Sequence, residues 1–224
     1  MLERIIKQRG QLVLNHPFFG ALALRLKPVE DPTCHTFWVD GRALGYNAQF
    51  VATLDDLELR GCLAHEVLHP ASGHCWRRGN RDQKLWNAAC DYAVNPVVLA
   101  ANLKLPKGAL LEERFTGKSA EEIYAVLRQE RPPEAPQEPQ AQGARGTGAG
   151  LPSRDPNASD AAQGQGAAEG GNADGSPTYE PGDIRKDRGN DQASTETQWK
   201  VAAMKAAQVA KMRGKFGADL QTVV

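Results

Sequence analysis

The stretch CLAHEVLHPASGHCW, residues 62–76, constrains the fold more than any other part of the chain. Three of the five histidines and a glutamate fall within ten positions of a run that is otherwise apolar or small. Gly61, Cys62, Leu63, Ala64, Val67 and Leu68 surround His65, Glu66 and His69, so a helix here is buried nearly all round. Buried His and Glu are expensive unless paired or bound to a metal. Thr53 with Asp56 three residues on predicts the helix start. The helix is expected from about Asp55 to about His69, because Pro70 lacks an amide donor and disfavours helical geometry just before it.

His65 and His69 are four apart, which puts both rings on one helix face, one turn from each other. That spacing lets two imidazoles reach one zinc ion at about 2.0–2.1 Å, with Glu66 leaning over the open position as general base toward an activated water. HEVLH is thus an HExxH pattern, which this composition would produce by chance on the order of once in 150 such sequences. The competing reading is a hydrogen-bonded core histidine pair with a surface glutamate. A catalytic zinc site usually has three protein ligands. The candidates for the third are His74, Cys75, Asp91 and His35. Asp91 stands out because Asn87, Asp91 and Asn95 form a polar stripe at four-residue intervals on a helix otherwise made of Trp86, Ala88, Ala89, Cys90, Ala93 and Val94. Asn87 and Asn95 are expected to support ligands or cap rather than bind the ion themselves, and His74 lies at the wrong interval for the longer HExxHxxGxxH pattern.

The rest of the chain divides by composition. Residues 1–130 make one compact unit. Leu2, Ile5, Ile6, Leu12 and Val13 predict a first helix interrupted near Gly10, and ALALRLKPV a weakly alternating strand. TFWVDGRALGY predicts an Asp-Gly hairpin with strands at 36–39 and 42–46. DQKLWNAACDYAVN predicts a helix from about Asp82 to Pro96, and Ser119 with Glu122 opens another. Residues 131–192 are rich in Pro, Gly, Gln and Ala and poor in large apolar side chains, so a disordered linker is expected. Residues 193–224 carry an amphipathic helix with Trp199, Ala202, Ala203, Ala206, Val209 and Ala210 on one side and Gly214 as its stop.

HEVLHPASGH, followed by RRGNRDQKLWNAACDYAVN and LPKGALLEERFTGKSAEEIYAVL, resembles the metallopeptidase domain of bacterial and phage proteins that precedes a von Willebrand factor A-like domain. The resemblance covers roughly residues 10–130, and WNxAxDxxVN makes it far more specific than HExxH alone. It implies an α+β, zincin-like fold in which a small sheet packs on the HExxH helix. It also implies His65 and His69 as ligands of Zn2+, Asp91 as the third, and Glu66 as catalytic base. An AAA-type ATPase of the MoxR kind is the implied partner. The chain is expected to stop where the second domain would begin.

Two functions compete on these residues. One is a zinc-dependent peptidase acting on protein or peptide substrates; the other is a zinc-stabilised interaction or adaptor module without turnover. Tyr46 and Tyr92 are candidates for oxyanion stabilisation. With 27 basic and 27 acidic residues there is no field that favours nucleic acid or anionic membrane. No apolar run approaches the roughly 20 residues of a membrane span, and Cys34, Cys62, Cys75 and Cys90 lack disulfide or CxxC spacing. A soluble cytoplasmic protein with reduced thiols is expected.

Overall fold

The apolar run around the histidines folds as helix α4 (Asp56–Ala71), in which every residue from Gly61 to Ala71 is buried. The computed structural model describes residues 1–131, 182–187, 189, 191–217 and 220. Before α4 come α1 (Leu2–Asn15), α2 (Pro17–Ala23), β1 (Lys27–Glu30), β2 (Phe37–Val39), β3 (Ala43–Tyr46) and α3 (Ala48–Thr53). After it come α5 (His74–Arg77), α6 (Gln83–Ala100), α7 (Ala120–Glu130), β4 (Asp183–Ile184) and α8 (Gln192–Met212). Four short strands in the order β1-β3-β2-β4 form one mixed sheet, antiparallel only at the β2–β3 hairpin. The fold is α+β. Helices α1, α2, α6 and α8 and strand β2 all pack on α4, which is why its sequence carries no polar face. No helix among the described residues is long and apolar enough to cross a membrane.

Local chemistry sets the element ends. Asp55, not Thr53, caps α4: its carboxylate accepts from the amides of Leu57 and Glu58 while Glu58 accepts from the Asp55 amide. Thr53 instead donates to the Phe50 carbonyl at the end of α3, and Asp56 is taken by Arg4 and Lys7. Helix α4 runs two residues beyond His69 and includes Pro70, with the Ser72 amide bonded to the Leu68 carbonyl. Gly41, at φ 88°, turns the hairpin. The expected capping box at Ser119 and Glu122 opens α7.

Three further expectations differ from the structure. Residues 21–29 are not one strand, because α2 occupies Pro17–Ala23 and only Lys27–Glu30 pair with β3. Phe18, Phe19 and Leu22 are all buried within α2, and their three- and four-residue spacing overrides the weak alternation. Helix α1 is continuous through Gly10, which has open space beside it. Helix α6 continues through Pro96 to Ala100. An interior proline costs about 3 kcal/mol, but burying Val97 and Val98 directly after it offsets this at about 1.5–3 kcal/mol each.

Most of the expected linker, 131–192, lies outside the described residues. Its described end does not behave as a tether. Gly182, Ile184 and Asp187 are buried, β4 pairs in parallel with β2, and Asp191 caps α8. Nor is α8 an appendage. It packs on α2 and α4, burying Trp199, Ala203, Ala206, Ala207 and Ala210. The Trp199 indole donates to the Gly41 carbonyl at 2.7 Å, tying α8 to the hairpin. Trp199→Ala is therefore expected to destabilise the whole fold by about 3–5 kcal/mol, read as a lower urea midpoint. An unchanged midpoint would show that α8 is dispensable to the core.

Candidate metal centre

The centre lies between α4 and α6. Among the described residues, His65, His69 and Asp91 form a buried group whose potential ligand atoms all lie within 4.8 Å of one another. The two Nε2 atoms are 2.9 Å apart, and Asp91 Oδ1 is 3.5 Å from that of His65 and 3.4 Å from that of His69. Ligands at 2.0–2.1 Å around a tetrahedral ion stand about 3.3 Å from each other. The triangle matches that spacing.

Hydrogen bonds on the far side of each ring show why these atoms need a cation. The Asn95 amide nitrogen donates to the Leu110 carbonyl at 2.9 Å, which turns its oxygen toward His65 Nδ1 at 2.8 Å. An amide oxygen only accepts, so Nδ1 carries the proton and the Nε2 of neutral His65 is a bare lone pair. His69 Nδ1 is 3.0 Å from His74 Nδ1, and His74 is positioned in turn by the Trp86 indole, which donates to its carbonyl at 3.3 Å. Neither carboxylate oxygen of Asp91 has a hydrogen-bond partner, and neither has one in Glu66. All four side chains are buried to within 1% of full occlusion. Lone pairs and carboxylates facing one another without donors are unstable in a dry interior, and a divalent ion resolves the conflict. The residues present therefore fit a metal.

The electrostatics point the same way. Burial opposes charge on His65, but Asp91 outweighs it and holds the imidazolium up at about 9. Burial pushes Asp91 up, against the pull of His65. Burial and then His65 drive His69 well below its ordinary value. Burial raises Glu66 to about 8, with His65 opposing and Asp91 and Asp183 adding to the rise. The pocket thus draws in positive charge.

The other sequence candidates sit further out. His74 is behind His69, and Asn95 is behind His65. Asn87 donates to Asp183 at 3.1 Å. Cys75 Sγ lies against the Val39 carbonyl, and His35 is exposed before β2. The Tyr46 hydroxyl donates to Glu30 and the Tyr92 hydroxyl to Glu112, so neither candidate for oxyanion stabilisation is free to serve. Sequence reasoning missed Leu110, Gln83, Gly182 and Asp183. Gln83 joins Asn87 in donating to Asp183, and Gly182 lies against Glu66 so closely that a Cβ there would be 2.6 Å from Oε1. The one signal was Ile184, a lone large apolar side chain between Glu180 and Gln192.

No curated protein and no solved structure matches the chain. Residues 3–224 match the family described as "Putative metallopeptidase domain". That span takes in the residues around Gly182 and helix α8 as well as the histidine helix, and the chain belongs to this family.

Proposed function

We propose that the protein is a zinc-dependent peptidase of zincin-like arrangement, with His65, His69 and Asp91 as the metal ligands and Glu66 as general base. The observation that carries this reading is the buried triangle of Nε2, Nε2 and Oδ1 beside a carboxylate with no donor of its own. A purely structural site has no use for a Glu66 kept unpaired. Zn2+ suits two imidazoles and a carboxylate, and when bound supplies Lewis acidity toward water and a peptide carbonyl.

The chain's own groups do the rest. Glu66 follows His65 directly on α4, so its carboxylate stands beside the ligand set. There Oε1 or Oε2 accepts a proton from the attacking water and passes it to the leaving amine nitrogen as the C–N bond breaks. Asn95 and His74 fix ring orientation, so that both Nε2 atoms point to one place. Burial keeps bulk water from competing.

The alternative is a zinc-stabilised adaptor module associated with an AAA-type ATPase. One observation favours it: Glu66 is 1% exposed, with Gly182 across its carboxylate. Glu66→Gln separates the two readings. It keeps the shape and the metal, and in a peptidase it is expected to cut turnover of casein about 10²–10⁴-fold. Equal turnover in the variant rejects Glu66 as base, and no turnover in either protein favours the adaptor.

Asp91→Ala removes one of three ligands and is expected to strip the metal, with bound zinc falling from one per chain toward zero by elemental analysis. His74→Ala leaves the triangle intact and is expected to weaken zinc binding about 10–100-fold while retaining it at saturating metal. Zinc lost from the His74 variant and kept by the Asp91 variant would overturn the ligand assignment.

A further inference from the structure

A general base must meet its substrate, yet Glu66 is covered by the chain itself. The cover is the strap 182–187. Strand β4 pairs in parallel with the outer edge of β2, Trp38 opposite Asp183 and Val39 opposite Ile184, and the Arg185 amide extends the ladder to the Val39 carbonyl at 2.8 Å. Gly182 lies directly over Oε1 of Glu66 and close to the Phe37 carbonyl, leaving no space for even one carbon atom between backbone and carboxylate. While the strap is seated, no foreign carbonyl can enter from this side.

What holds the strap is largely polar. Arg185 stacks on the Trp38 ring at 4.2 Å and pairs with Asp31 at 3.3 Å and Asp183 at 3.2 Å. Asp183 accepts from Gln83 and Asn87, and Asp187 from Arg42 at 2.7 Å. Only Ile184 inserts into the core. The part-exposed ion pairs of Arg185 contribute little and are screened by salt, whereas Asp187 is itself buried against Arg42. Beneath them is a strand edge whose amides and carbonyls pair with whatever extended backbone is laid along it.

We propose that the β2 edge is a docking surface for an extended, unfolded segment of a protein, and that residues 182–187 are a resident competitor that must leave it before Glu66 can act. The inference rests on the peptidase reading for its last step only; the docking step stands without it. A folded loop or a helix does not fit, because the edge offers backbone pairing over two or three residues with a glycine's width above the carboxylate. The partner is a single extended strand.

The test uses the full zinc-loaded chain carrying Glu66→Gln, so that nothing is cut, titrated with fluorescent casein as an unstructured probe and followed by anisotropy. Arg185→Ala and Asp187→Asn loosen the strap at different anchors without touching the metal ligands. Each is expected to tighten casein binding about tenfold, since the apparent affinity is set by the fraction of molecules with a free edge. A synthetic peptide spanning 180–188 is expected to displace casein from the loosened variants. With Glu66 intact, the same substitutions should raise casein turnover in parallel at unchanged zinc content. Tighter binding without turnover in any variant retains the docking edge and rejects the peptidase reading. Unchanged casein affinity in both variants with zinc retained, or failure of the peptide to compete, overturns the proposal.

Discussion

Three groups that need a positive charge between them share the space between α4 and α6: two imidazoles and a carboxylate, all fully buried. Burying such a set without a cation costs several kcal/mol per charge. The surrounding structure is arranged to keep the conflict in place rather than relieve it. Leu110 turns Asn95, Asn95 turns His65, and Trp86 holds the residue behind His69. Two of these restraints, Asn95 and Trp86, stand nine residues apart on α6 and the third comes from the loop at Leu110, so no single rotation lets the candidate ligands disperse.

Because α4 supplies two of the three candidate ligands and the proposed base, its rigidity matters, and burial on every side from Gly61 to Ala71 provides it. Helices α1, α2, α6 and α8 and strand β2 all contact it. The sequences that flank the ligands are small or aliphatic for this reason. The centre is therefore a property of the whole chain, from α1 to α8, in keeping with a family match that runs from residue 3 to residue 224.

Much of the site was legible because its signals are local. The four-residue spacing of His65 and His69 and the repeat of Asn87, Asp91 and Asn95 follow directly from helical periodicity. The roles within that repeat were less legible, since the Asn87 amide turns to Asp183, a residue 96 positions away in sequence. Capping at Ser119 was read correctly, whereas the α4 cap belongs to Asp55 because Asp56 is drawn off by Arg4 and Lys7, contacts no local rule reports. Pro96 misled for a related reason: tertiary burial of Val97 and Val98 outweighs a local break. The strap was the hardest feature to foresee. Its composition lacks the apolar content that marks a folded segment, and it is held by ion pairs, one ladder and a single isoleucine.

The strap's position in the sequence bears on how an ion reaches so enclosed a place. His65, His69 and Asp91 all precede Gly182, so during synthesis the candidate ligands are made well before the backbone that lies over Glu66. At roughly 5–20 residues per second the gap between Asp91 and Gly182 lasts roughly 5–18 s. During that interval no residue of the strap lies over Glu66, and α8, which packs on α4, has not yet been made. The cover over Glu66 is thus added late, onto a site whose side chains are already in the chain.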